Sequence, residues 1–255
     1  MLRTVTGMGI GRRCGMKLGW AISGLWCMAA LAAEPSTLSV YSVEYPPLVL
    51  KGEGGKLSGI ATEAVAQALQ LAGLSARMPE IPWKRAQMQV QQDADSCLTP
   101  FTRSPEREKM YRWVGLVMES KQSLFINTHH PVVLNSLDDA KGKRVVVLLG
   151  SSLAEYLKKN NIGYSVRPTP EEAERELAAG VADIWAVHDV VANYTIKQVG
   201  TPTDSIREAL QVQTTSIYLA CSPKMSDATA LRLSRAFQQL RESGKLEKII
   251  AKYLK

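Results

Sequence analysis

The sequence predicts an α/β protein of two lobes, with mostly parallel sheets and a ligand cleft between them. Three observations predict it. Strand-like and helix-like segments alternate along the chain, and the alternation begins afresh at Lys141. The run Val145-Val146-Val147-Leu148-Leu149 is continuously apolar, as expected of a parallel strand covered on both faces. The 255 residues are 45% hydrophobic and 22% charged, enough for one large domain or for two lobes that each bury a core.

Each element has its own signal. Residues 37–43 alternate apolar and polar side chains, a strand pattern. Tyr45-Pro46-Pro47 ends that strand, because proline lacks the amide that a ladder needs. Residues 51–55 are a Gly-rich turn. Residues 59–71 read as a helix with Ile60, Ala64, Ala68 and Leu71 on one face, stopped by Gly73. Residues 83–92 predict a second helix, 96–99 a buried strand, 102–109 a polar turn or helix start, and 122–127 another strand. In the second half, Gly150-Ser151-Ser152 turns from the strand at 145–149 into a helix over about 153–159. Thr169 is an N-cap, followed by Pro170 in the first turn and by Glu171 and Glu172 on the positive end of the dipole; Gly180 ends that helix. A strand at 181–187, a helix at 189–198 and a strand at 211–220 follow. Two closing helices carry apolar faces at Leu233, Ala236, Phe237 and Leu240, and at Leu246, Ile249, Ile250 and Tyr253, with Gly244 between them.

The first 33 residues read as an export address. Arg3, Arg12, Arg13 and Lys17 precede an apolar run from Leu18 to Ala33, too short to span a bilayer comfortably, and Ala30-Leu31-Ala32 offers small residues for cleavage after Ala32 or Ala33. An exported chain without an anchor implies the periplasm. The same segment accounts for much of the basic balance. The formal charge is +7, but removing those four cations leaves 27 basic residues against 24 acidic. Cys97 and Cys221 follow the leader, an even count that permits one disulfide in an oxidising compartment; two free buried cysteines are the alternative.

Several function classes lack support. No basic patch with interleaved aromatics suggests a nucleic-acid partner. No phosphate-binding Gly-Lys-Ser/Thr loop, His-Glu-x-x-His or Gly-x-Ser-x-Gly is present, and no cofactor is implied. His129-His130 is not expected to hold a metal, because adjacent strand residues point to opposite faces and no acid or cysteine cluster adjoins them.

Taken in order, a set of short motifs resembles a known family. They are Tyr45-Pro46-Pro47; Gly59-Ile60 with Glu63; Pro82-Trp83 with Arg85; Thr99-Pro100-Phe101-Thr102-Arg103 with Arg107; Tyr111 and Trp113; Gly142 with Arg144; Gly150-Ser151-Ser152; Gly180 with Asp183; and Gly244 with Leu246 and Ile249. The mature chain is similar throughout to the type II periplasmic solute-binding proteins of bacterial ABC importers, in the polar-amino-acid group called family 3. The resemblance implies a first lobe at 34–122 plus 217–255 and a second at 123–216, joined by two crossover strands and hinged over a ligand.

Site residues are carried over by position. Arg107 matches the arginine that grips the ligand's α-carboxylate, a role suited to a planar guanidinium with two parallel donors. Thr99 and Thr102 match hydroxyl or amide positions beside it, with Pro100 between them where relatives often carry Ser. Tyr45 and Trp83 match aromatic walls, and Arg85 is a further cation near the cleft. Ser151 and Ser152 open a helix whose amides point at an anion. Strict spacing from Asp183 puts His188 where relatives place the acid that holds the α-ammonium, with Asp189 one residue later. The implied function is capture of a small polar ligand, an amino acid or related carboxylate, for a membrane permease, by a monomer that performs no catalysis. Two alternatives remain open. One is a periplasmic prephenate- or arogenate-type dehydratase using Asp189, Glu44 or Glu63 as general acid. The other is a ligand sensor without transport.

Overall fold

A computed structural model describes residues 37–254; the leader expected at 1–33 lies outside them. Ten strands and seven α-helices follow in chain order: β1 Leu38–Tyr41, β2 Leu50–Lys51, β3 Leu57–Ser58, α1 Ile60–Ala72, β4 Ala76–Arg77, α2 Trp83–Gln92, β5 Ser96–Thr102, β6 Arg112–Asn127, β7 Val145–Leu148, α3 Ser152–Lys159, β8 Ser165–Arg167, α4 Pro170–Ala178, β9 Ile184–His188, α5 Asp189–Val199, β10 Ile206–Cys221, α6 Asp227–Glu242 and α7 Lys245–Tyr253.

Eight strands form one sheet in the order β4-β1-β5-β10-β6-β9-β7-β8. The outer pairings β4–β1, β1–β5, β9–β7 and β7–β8 are parallel. Those that involve β10 or β6, namely β5–β10, β10–β6 and β6–β9, are antiparallel. The sheet therefore has two parallel flanks bridged by two 16-residue strands. These are the strands that the sequence marks only in part, at 122–127 and 211–220. Their pairing carries four register shifts, and each such bulge bends a strand and increases its twist. Of residues 102–109, expected as a polar turn or helix start, Thr102 ends β5 and 105–109 are turns; no helix starts there.

Burial explains the continuous apolar run of β7. Val145 and Val147 pack with Leu153 and Leu157 of α3 on one face. Val146 and Leu148 face the opposite cluster, which holds Ala173 and Leu177 of α4 and Val191 of α5. Alternate side chains of one strand thus serve two buried layers, so no position is left to be polar. At the other flank, α1 and α6 cover one face through Ile60, Ala64, Ala68, Leu233 and Phe237. Helix α2 covers the opposite face with Ala86 and Val90 against Leu98 and Phe101. Helix α4 starts as its capping sequence requires, with Thr169 Oγ1 accepting from the Glu172 amide at 3.3 Å.

Cys97 and Cys221 are directly paired across β5 and β10 and joined as a disulfide. The two cysteines lie 124 residues apart in sequence, and the antiparallel pairing of two distant strands is what brings them together. None of the helices described is long and apolar enough to cross a membrane.

Candidate functional site

A narrow cavity of ≈ 30 Å³ lies where the end of β5 meets the β7–α3 turn. Tyr45, Trp83, Phe101, Thr102 and Arg107 line it from one flank of the sheet, and Gly150, Ser151, Ser152 and His188 from the other. That volume holds about one or two waters. A second polar cavity of ≈ 270 Å³ shares Thr102 and Ser152 with it and extends past Ser104, Lys159 and Ser216. A larger open groove, ≈ 940 Å³, lies between α1 and α7 on an outer face, where Glu63, Gln67, Lys248 and Lys252 line it. Apart from Glu63, a candidate general acid in the dehydratase alternative, it contains none of the residues expected at the site, so the narrow cavity is the candidate despite its size.

Arg107 sits in the turns after β5 and is 4% exposed. Its Nε and Nη2 donate to the two carboxylate oxygens of Glu155, at 3.0 and 2.8 Å. Nη2 also donates to the Gly150 carbonyl at 3.2 Å, and Nη1 to the Thr102 carbonyl at 3.4 Å. The guanidinium lies 4.3 Å from the centre of the Phe101 ring, a face that attracts cations. Phe101 in turn packs edge-on against Trp83 at 5.9 Å. Gln87 of α2 donates to the same Gly150 carbonyl at 3.2 Å. Gly150 has φ +74°, a left-handed conformation that glycine adopts without a steric penalty, and this turn aims its carbonyl at both donors.

His188 ends β9 and is 4% exposed. Ser120 Oγ donates to Asp189 Oδ1 at 2.7 Å, so its lone pair receives the hydrogen on His188 Nδ1, 3.1 Å away. This chain assigns the neutral Nδ1–H tautomer and leaves Nε2 as an acceptor. Nε2 lies 3.3 Å from Thr102 Oγ1 and 3.2 Å from Gln122 Nε2. Burial pushes the imidazolium pKa down to about 4, against the opposing pull of Asp189. Tyr45 stands edge-on to the ring at 6.0 Å, and burial raises its phenol pKa.

The helix start at α3 has the form read from the sequence. Ser151 caps it by accepting from the Ala154 amide at 3.2 Å, and Ser152 Oγ accepts from Gln122 Nε2 at 2.9 Å.

The structure thus gathers Arg107, Thr102, Tyr45, Trp83, Ser151, Ser152 and His188 around one cavity. It does not bring in the other three expected residues. Thr99 points into the core with its hydroxyl unpartnered. Arg85 is exposed on α2, whose buried face is that of Ala86 and Val90. Asp189 is held between β6 and its own helix start, accepting from Ser120 Oγ and the Lys121 amide on β6 and from the Val190 amide on α5. Glu44 is exposed, and Glu63 bonds Lys252 and Tyr253 at the far side of α1. Glu155 and Gln87 carry no site signal in the sequence, and Phe101 stands there only as part of the Thr99–Arg103 motif. Glu155 reads there as an ordinary first-turn acid, and only the fold sets it against Arg107. His129 and His130 are exposed, and no cluster that could hold a metal ion occurs among the described residues.

Residues 39–255 match the family model for bacterial extracellular solute-binding proteins, family 3. The chain belongs to that family. Among family relatives, the L-cystine-binding protein TcyJ of Escherichia coli strain K12 is 24% identical over 212 residues, covering 82% of this chain and 79% of TcyJ. Solved structures share the fold. A histidine kinase sensor domain similar to periplasmic binding proteins superposes with a TM-score of 0.77 at 23% identity, covering 86% of this chain and 96% of that one. The ancestral amino acid-binding protein AncCDT-1, a precursor of cyclohexadienyl dehydratase, superposes with a TM-score of 0.74 at 19% identity, covering 86% and 95%. For a solute-binding protein of this family, a buried arginine beside a cavity between the two flanks of the sheet is the feature of interest.

Proposed function

We propose that this chain captures an amino acid or related small carboxylate in the periplasm and presents it, as a monomer, to an ABC permease, after removal of residues 1–33. The observation that carries the reading is Arg107. A guanidinium that is nearly inaccessible, backed by Phe101 and flanked by a helix start, is prepared for a carboxylate. The ligand's carboxylate would take the two parallel N–H groups of Arg107 and approach the α3 amides. Tyr45 and Trp83 would wall its side chain. Opposite, His188 offers a neutral acceptor where the family pattern leads one to expect an acid, so this cleft depends less on an α-ammonium than on the carboxylate.

The ≈ 30 Å³ cavity must widen to admit any such solute. We assign the motion to a first lobe at 34–122 plus 217–255 and a second at 123–216, which part about the bulged strands β6 and β10. Catalysis is the weaker reading. A general acid has to come within hydrogen-bond reach of the reacting atom, and Asp189, Glu44 and Glu63 all lie off the cavity lining.

A thermal-shift panel on the mature chain tests the proposal. It would include L-cystine, the common amino acids, small dicarboxylates, polyamines and prephenate, with Arg107→Ala alongside. A solute at 100 times its dissociation constant raises stability by about 2.7 kcal/mol. A carboxylate shift that Arg107→Ala abolishes supports the reading. A shift confined to polyamines, or one that survives in the variant, removes Arg107 from the site.

A further inference from the structure

We propose that Glu155 is a tethered carboxylate: it occupies the guanidinium fork of Arg107 in the ligand-free protein, holds the cleft shut, and is displaced by an incoming carboxylate. The proposal deepens the reading of Arg107 as the ligand's anchor.

The geometry is that of a bound ligand. Both Glu155 oxygens are taken by the two parallel donors of Arg107, the bidentate arrangement in which carboxylates are recognised. The remaining Arg107 contacts go to backbone carbonyls, so no second carboxylate reaches the same fork while Glu155 holds it.

The two partners differ in freedom. The Arg107 side chain is 5% exposed and lies against Phe101, whereas that of Glu155 is 35% exposed. The arginine is fixed and the glutamate is able to withdraw into water, as a displaceable occupant must.

The pair also joins opposite flanks of the sheet. Arg107 follows β5, and Glu155 stands in the first turn of α3, next to β7. Lys159, one turn further along α3, bonds Glu106 at 2.9 Å across the same gap, and Gln87 reaches Gly150 beside them. On the inner side Thr102 meets His188. The donors of Arg107 and the ring nitrogens of His188 are therefore taken by the protein itself, and a solute binds only to the fraction of molecules in which Glu155 has let go.

Small-angle scattering on the mature chain, stripped of solute by unfolding and refolding, tests this without knowledge of the natural ligand. Wild type is expected to be compact with or without sodium acetate. Glu155→Ala is expected to show a larger radius of gyration, which acetate reverses and sodium chloride of equal ionic strength does not. Glu155→Gln, which keeps the shape and loses the charge, should also expand. Asp138→Asn, on an exposed turn away from the cleft, should match wild type. Three results would each overturn the proposal: a Glu155→Ala protein as compact as wild type, an expansion that acetate fails to reverse, or equal acetate compaction of both proteins. A silent solute panel would sink the capture reading while leaving the acetate result to stand by itself.

Discussion

Thr102 and His188 meet across the cavity, Oγ1 to Nε2 at 3.3 Å, one at the end of β5 and the other at the end of β9. The contact closes a chain that runs from Asp189 through Ser120 and the imidazole to the first flank of the sheet. It has a consequence for stability. The folded-state pKa of His188 is lowered from 6.5 to about 4 by burial, so between those values the unfolded chain holds a proton that the folded chain does not. Stability from this group is complete above pH 6.5 and is lost as pH falls toward 4, by about 3 kcal/mol in total. Urea titrations of wild type and His188→Gln at pH 7, 5.5 and 4 should show the wild type losing more. Parallel pH dependences would remove the imidazole from the account.

Arg107→Lys should weaken carboxylate binding by at least about 30-fold, because an ammonium cannot offer two parallel donors from one plane. Calorimetric titration with whichever carboxylate scores in the thermal-shift panel measures the loss. Equal affinity in the variant would mean that charge alone suffices and that the fork geometry is unused.

Asp189 should behave as a structural residue. Replacing it with alanine leaves the Ser120 hydroxyl and the Lys121 and Val190 amides without their acceptor. The expected cost is about 1.5–3 kcal/mol, read from the denaturant midpoint, with the solute-induced thermal shift retained. Loss of that shift with normal stability would place Asp189 at the ligand instead.

The disulfide ties β5 to β10 across a separation of 124 residues. Closing so long a loop restricts the unfolded chain, so Cys97→Ala with Cys221→Ala should lower stability by about 2–5 kcal/mol. Oxidised wild type and the double variant, compared in urea, test this, and coincident midpoints would contradict it.

Gly115 in β6 lies under the ring of Phe237 on α6, where an added Cβ would come within 2.1 Å of a ring carbon. Phe237 is 2% exposed and sits within the main apolar cluster, so its ring moves only by displacing packed neighbours. Gly115→Ala should therefore cost about 1–3 kcal/mol through overpacking, measured by chemical denaturation. A variant as stable as wild type would show that α6 shifts at no cost.

The local elements and the family are legible in the residues alone. Periodicity and caps predicted α1 and α4 closely and marked the buried faces of α6 and α7, because apolar stripes and caps lie within a few residues of one another. The resemblance brought in Arg107, Tyr45, Trp83, Ser151 and Ser152, each of which lines the cavity. The full length of β6 and β10 was not legible, since the polar residues in their middle, Glu119–Ser123 and Gln213–Ser216, are held by pairing between the two strands rather than by an apolar pattern. Nor was the disulfide, which depends on two strands 124 residues apart becoming neighbours. The electrostatics of the site come from packing between segments remote in sequence. An acid in a first helical turn reads as a helix-dipole partner until the fold sets Glu155 against Arg107. An Asp one residue past a strand reads as a ligand group until the fold sets Asp189 against Ser120 and Lys121 of β6 and the first amide of its own helix. Charge pairing of this kind depends on distances of about 3 Å between segments remote in sequence, which no local pattern encodes.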